Sequence, residues 1–141
     1  MIREGNKRLV RQFYEEVVST GAVDRVEKFV SADCVETDGL TRVESGVKGM
    51  MEHVRGVRAV YPDLQITVHR QIAEGEWVAT MITARGTHEG EWLGMKPTGQ
   101  PLVFSGVNVD RVVDDKIVEH GGATNMLLPF LEAGAIRVAS D

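Results

Sequence analysis

Apolar residues recur every three or four positions along the first third of the chain. They then switch to strict alternation. Leu9, Val10, Phe13, Val17 and Val18 form one stripe, with Arg, Lys and Glu between them. That spacing predicts a helix over residues 3–20. Gly21 is suited to the left-handed cap that ends it. Val23, Val26, Phe29 and Val30 predict a short second helix over 23–30. A short extended piece over 33–36 leads to an Asp38-Gly39 turn. Val47, Met50, Met51, Val54 and Val57 mark a third helix over 45–60, with Ser45 as its N-cap. Tyr61-Pro62-Asp63 breaks it.

From Leu64 the period is two. Leu64, Ile66 and Val68 alternate with Gln65, Thr67 and His69, the mark of a half-buried strand. A Gly-containing turn at 73–76 joins it to a long strand over 77–88. Residues 90–101 hold three glycines and two prolines and read as an irregular loop. Strands over 102–113 and 116–124 flank an Asp114-Asp115 turn. A last helix over 126–133 is expected, with Asn125 as its cap and Gly134 after its end. Helices first and antiparallel strands afterwards define an α+β chain. Curved strands with helices on one side enclose one pocket between sheet and helices.

Composition removes several function classes. The chain has 141 residues, 43% hydrophobic and 26% charged, an ordinary globular balance for a single domain spanning 1–141. One cysteine, Cys34, leaves no internal disulfide and no Cys-based zinc site. The net charge of −5, with Lys and Arg scattered, argues against nucleic acid as a partner. No apolar run reaches the ~20 residues of a membrane span, and the charged N-terminal stretch has no signal-peptide character. A cytoplasmic protein is expected. Phosphate-loop, dinucleotide and nucleophile-elbow motifs are absent.

The last two strands carry the candidate chemistry. Leu102, Phe104, Gly106, Asn108, Asp110 and Val112 share one strand face. If that face looks inward, Asp110 is a carboxylate whose burial suits it to general-base work. Val118, His120, Gly122 and Thr124 share a face of the final strand. An inward His120 titrates near neutrality and moves a proton. Gly121-Gly122 leaves space beside it. Trp92 and Phe104 are candidate walls for a flat ligand. Tyr14 is a candidate hydrogen-bond donor into the cavity, and His88 a candidate at its mouth. His53 and His69 fall on polar faces and read as solvated. Trp77 reads as core, Cys34 as a small buried residue, and Met126 and Leu127 as the closure of one end of the core.

Five stretches carry a family resemblance. They are Leu9-Val10-Arg11-Gln12-Phe13-Tyr14-Glu15-Glu16-Val17, Tyr61-Pro62-Asp63-Leu64, the run from Ala84 to Gly94 with Pro97-Thr98-Gly99, Phe104-Ser105-Gly106-Val107, and Lys116-Ile117-Val118-Glu119-His120. With them the chain resembles the SnoaL-like proteins of the nuclear transport factor 2-like superfamily. The resemblance implies a cone: a strongly curved, mostly antiparallel sheet with helices packed on its concave side, paired as a homodimer through the sheet's outer face. It implies acid–base chemistry without cofactor or metal on a small hydrophobic or aromatic, polyketide-like ligand. The cyclases of the family carry an acid two residues after the last-strand histidine, where this chain has Gly122. Their frequent later Asp is Asn125 here, and their inward acid on the preceding strand is Asn108. The run Gly121-Gly122-Ala123-Thr124-Asn125-Met126 is more similar to a branch assigned to hydroxylation during aromatic polyketide biosynthesis.

These readings set the expected roles. His120 and Asp110 handle protons, Asn108 and Asn125 hold carbonyl or phenol oxygens, and Trp92, Phe104, Tyr14 and His88 line the pocket. Two alternatives accompany them. One is a non-catalytic binding or accessory protein. The other is an isomerase resembling ketosteroid isomerase, with Asp38 as base, although Asp38 in Asp-Gly is also a good turn residue.

Overall fold

The computed structural model describes residues 2–140. Helix α1 (Ile2–Phe13) follows the expected stripe and buries Val10 and Phe13. It continues as a π-helical turn over Tyr14–Val18, where the Ser19 N–H donates to the Tyr14 carbonyl five residues back. Such widened turns cluster at functional sites. Gly21 takes the left-handed conformation expected of it. The second helix is shorter than its pattern. A 3-10 turn over Val23–Arg25 leads into α2 (Val26–Phe29). Val30 belongs to strand β1 (Val30–Thr37) instead. A short strand, β2 (Arg42–Glu44), was not expected, and its residues are all exposed, so no burial pattern announces it. Helix α3 (Gly46–Val60) matches its stripe, but Ser45 makes no capping bond.

Strands β3 (Gln65–Glu74), β4 (Trp77–Thr87), β5 (Pro101–Val113) and β6 (Lys116–Asn125) are the long strands. β3 runs five residues beyond the expected alternation because a bulge between Val68 and Arg70 resets its parity. Helix α4 (Leu127–Ala133) closes the chain, with Gly134 left-handed after it. Met126, not Asn125, stands at its N-cap and makes no side-chain cap bond.

One curved, unclosed sheet runs β2-β1-β6-β5-β4-β3. All pairs are antiparallel except β1 with β6. The fold is the expected α+β, with helices against the concave face. The core has two parts. Phe13, Val17, Phe29, Met50, Val78 and Ile117 fill one, between α1, α3 and the sheet. Tyr61, Leu64, Phe104 and Phe130 fill the other, near α4.

A bulge in β6 decides the site. Asp110 faces His120 across the ladder, and Arg111 faces Glu119, but Val112 faces Ile117, so Val118 is the extra residue. Ile117 and His120, three apart, are both drawn to the concave side. Ile117 is wholly buried in the core and His120 meets Asp110. The plain alternation expected over Val118–Thr124 misses this reset. Trp77 is a second correction. It is 43% exposed and pairs across to Arg111 on the outer face. Leu127 is a third, since it is exposed, while Met126 packs on the core. Cys34 is buried as expected.

Candidate functional site

Between α1, α3 and the sheet lies a cavity of about 930 Å³. Apolar side chains make most of its wall, including Phe13, Val54, Val57, Ile82, Ala84 and Phe104. Trp92 stands on its border, 38% exposed, with its ring 6.1 Å from Phe130. That volume suits a ligand of drug-like size held mainly by apolar contact.

The polar part sits where α1 crosses β5 and β6. Asp110 has no exposed surface. One of its carboxylate oxygens, Oδ1, lies 2.6 Å from Nδ1 of His120. The other accepts a short hydrogen bond from the Tyr14 hydroxyl. The π-helical turn begins at Tyr14, which places this side chain over the sheet. Asn108, two residues before Asp110 on the same strand face, lines the cavity beside them. So Tyr14, Asp110, Asn108 and His120 are brought together.

Burial alone would lower the pKa of His120, but the negative charge of Asp110 and its hydrogen bond outweigh it, and the net shift is upward. Burial, reinforced by Asp110, pushes the Tyr14 phenol well above its usual range, so it stays a donor. A carboxylate on Nδ1 fixes the imidazole tautomer and leaves Nε2 as the reactive atom. Nε2 of His120 has no hydrogen-bond partner among the described residues. The pair is therefore a base whose conjugate acid is stabilised by a buried anion.

Two expected site residues lie elsewhere. Asn125 is exposed and pairs with Ser105, on the outer side of the sheet, because cross-strand partners share a face. His88 is fully buried and does not line the cavity. Its backbone bonds Gln100 and Gly99, and its ring packs between Tyr61 and Phe130, so it shapes the loop over 88–100. Asp38 is held in its turn. One oxygen accepts from the backbone N–H groups of Leu40 and Thr41, and these bonds hold its carboxyl below the usual range. A carboxylate so committed is a poor base, and the isomerase-type role for Asp38 loses its support.

Two residues of the cavity wall escaped the sequence. His53 is exposed, as its polar-face position predicts, and it also lines the cavity, with its ring 5.8 Å from that of His120. Glu36 lines it too, and its Oε1 lies 2.9 Å from Nδ1 of His53. The helical stripe could place His53 only on the polar side of α3. That this side borders the cavity depends on how α3 crosses β1.

The family model for SnoaL-like polyketide cyclases matches residues 8–130. The chain belongs to the SnoaL-like polyketide cyclase family. Among members of this family, it is 30% identical over 104 residues to the nogalonic acid methyl ester cyclase of Streptomyces nogalater, covering 72% of this chain and 78% of that one. The crystal structure of AclR, a proposed hydroxylase from Streptomyces galilaeus, superposes with a TM-score of 0.82 at 29% identity, over 99% of this chain and 87% of that one. A SnoaL-like protein from Jannaschia sp. CCS1 shares the fold, with a TM-score of 0.84 at 20% identity over 96% and 95% of the two chains. The SnoaL-like fold is thereby confirmed. The described residues contain no cluster of three or more His, Cys, Asp or Glu able to hold a metal, and no helix long and apolar enough to cross a membrane.

Proposed function

We propose that this SnoaL-like protein is an enzyme that performs acid–base chemistry with its own side chains on an aromatic polyketide-like substrate. The observation that carries the reading is the Tyr14–Asp110–His120 line, which ends in a free Nε2 at the wall of a largely apolar cavity. His120 takes a proton from an acidic carbon or phenol of the ligand. Asp110 stabilises the imidazolium that results, and Tyr14 holds the second oxygen of Asp110. Asn108 donates its amide N–H to the ligand oxygen on which negative charge grows. Phe104 and Trp92 hold the flat rings. The likeness to both a nogalonic acid methyl ester cyclase and a proposed hydroxylase supports a cyclisation or hydroxylation-type step.

A pair of copies joined through the outer sheet face fits this reading. Val103, Val107 and Val109 of β5 and Met81 of β4 form an exposed apolar patch there.

The test is a thermal-shift screen against anthraquinones, anthracycline intermediates, other aromatic polyketides and steroids, with mass spectrometry on each hit. Saturating ligand raises stability by ~2–4 kcal/mol. A hit that is converted by the wild type, but not by Asp110→Asn or His120→Ala, is the expected result. A hit returned unchanged identifies a binding protein instead. Full turnover in both variants overturns the site.

A further inference from the structure

Beside the Asp110–His120 pair, on the neighbouring strand and helix, stands a second carboxylate–imidazole pair. Glu36 of β1 stands opposite His120 in the parallel β1–β6 register. Helix α3 packs on β1 and carries His53 to Glu36, with Nδ1 and Oε1 2.9 Å apart. The two imidazoles meet edge to face, with ring centroids 5.8 Å apart at 68°.

The symmetry is chemical. Each ring gives its Nδ1 to a carboxylate, His120 to Asp110 and His53 to Glu36. Neither Nε2 has a hydrogen-bond partner among the described residues, and both rings line one cavity. The bond from His53 holds the Glu36 carboxyl below the usual range, against the opposing effect of its partial burial. The pair is a weak candidate for a fold staple. Its side chains are 42% and 25% exposed, and exposed ion pairs contribute little stability. The charged and titratable groups around the two rings are Glu36 from β1, Asp110 from β5, Tyr14 from the π-helical turn, and Asp38 at the rim. The Arg42–Glu119 pair lies beyond β1 and β6.

We propose that His53, held by Glu36, is a second acid–base residue that works on the same ligand as His120 with the opposite proton role. The proposal rests on the acid–base reading above. In the forward step the ligand's acidic C–H proton goes to Nε2 of His120. The C–H electron pair moves into the ring-conjugated enolate. The carbonyl oxygen takes a proton from Nε2 of His53. One proton enters the protein and one leaves, so the ligand passes from ketone to enol with no net change in charge. The substrate class this selects is an enolisable ketone, with its acidic carbon adjacent to the carbonyl and fused to an aromatic system. A single imidazole would leave the enolate to Asn108 alone, whereas two neighbouring imidazoles divide acid and base between two residues.

The test uses 1,8-dihydroxyanthraquinone, a coloured aromatic ketone whose phenol oxygens flank its carbonyl. Imidazole nitrogens are followed by NMR in 15N-histidine-labelled full-length protein. The dye's ionisation is followed by its visible absorbance across pH. The expected result has three parts. Dye binding shifts the Nε2 signals of both His53 and His120. His53→Gln still binds the dye but moves the bound dye's ionisation midpoint up by about one pH unit, the effect of losing the proton partner of the dye's oxygen. Glu36→Gln, which frees the ring to turn, moves it part of the way. The thermal melt of His53→Gln stays near wild type, so loss of fold does not imitate the effect. A dye that shifts only His120, with an unchanged midpoint in His53→Gln, overturns this proposal and leaves the His120 reading standing. A dye that binds without moving either ring, or that fails to bind, overturns both.

Discussion

The side chain of Asn108 occupies the space that any side chain on Gly122 would need. A Cβ at 122 would overlap the Asn108 amide oxygen, the Val107 carbonyl and the Asn108 Cα. The two face each other across β5 and β6. Where the resembled cyclases carry an acid, this chain has removed the side chain and leaned an amide over the gap. The polar group this chain keeps at that point of the wall is the neutral amide on β5.

That relationship predicts a cost for filling the gap. Gly122→Ala should lose about 1–3 kcal/mol, as overpacking does. Adding Asn108→Ala should restore only part of it, because the Val107 carbonyl stays in the way. Urea denaturation of the two single variants and the double variant measures the coupling. Additive losses would mean that the two residues do not share the space.

Asp110 is wholly buried and serves two donors. Asp110→Ala strands the Tyr14 hydroxyl and the His120 Nδ1–H, and should destabilise by about 3–5 kcal/mol, as breaking a buried pair does. Asp110→Asn keeps the volume and should cost less stability. It should nonetheless lower turnover about 10²–10⁴-fold, the ordinary contribution of a positioned acid–base group. Denaturation paired with initial rates on the substrate found by the screen separates the two effects.

Tyr14→Phe removes one hydrogen bond to a carboxylate and leaves the ring in place. The expected loss is about 1.5–3 kcal/mol. An unchanged melting midpoint would show that the Tyr14–Asp110 bond adds nothing to the fold.

The pH dependence has a defined sign. His120 holds its proton more tightly when folded. Its contribution is fully present below about pH 6.5, the unfolded imidazole value, and is lost as pH rises through the higher folded value. At the alkaline end, burial raises the Cys34 thiol to about 11 and the Tyr61 phenol to about 12, and pushes the Tyr14 phenol well up. The unfolded chain ionises these groups first, so stability falls from about pH 8.5 upward, where the free thiol begins to titrate. Denaturation curves between pH 5 and 11 test this. Tyr14→Phe should flatten the alkaline limb, and His120→Gln the fall near neutrality.

Cys34 is buried, and its raised value keeps it a thiol at neutral pH. A thiol-reactive disulfide reagent should therefore label native protein at the global or sub-global unfolding rate, and unfolded protein at once. Rapid labelling of native protein would show that β1 opens on its own.

The sequence by itself determined the elements with strong periodicity. The stripe Leu9–Val18 is one helix face, the stripe Val47–Val57 is another, and the alternation in β5 put Phe104, Asn108 and Asp110 on one side. Those patterns are local, because a side chain's face follows from 3.6 or 2 residues per repeat. The sequence also carried the family, and through it the fold. What the tertiary structure alone decided is everything that depends on where one element crosses another. The bulge at Val118 turned His120 toward Asp110, and no residue there announces a bulge. The crossing of α3 over β1 brought the exposed His53 to Glu36 and to the cavity, which its helical position alone does not show. Asn125 lies on the outer face simply because the regular register at the end of β6 keeps His120, Gly122 and Thr124 inward, whereas packing between Tyr61 and Phe130 is what sealed His88 inside. Periodicity fixes direction within an element, but a site is a distance between elements, and that distance is set by packing.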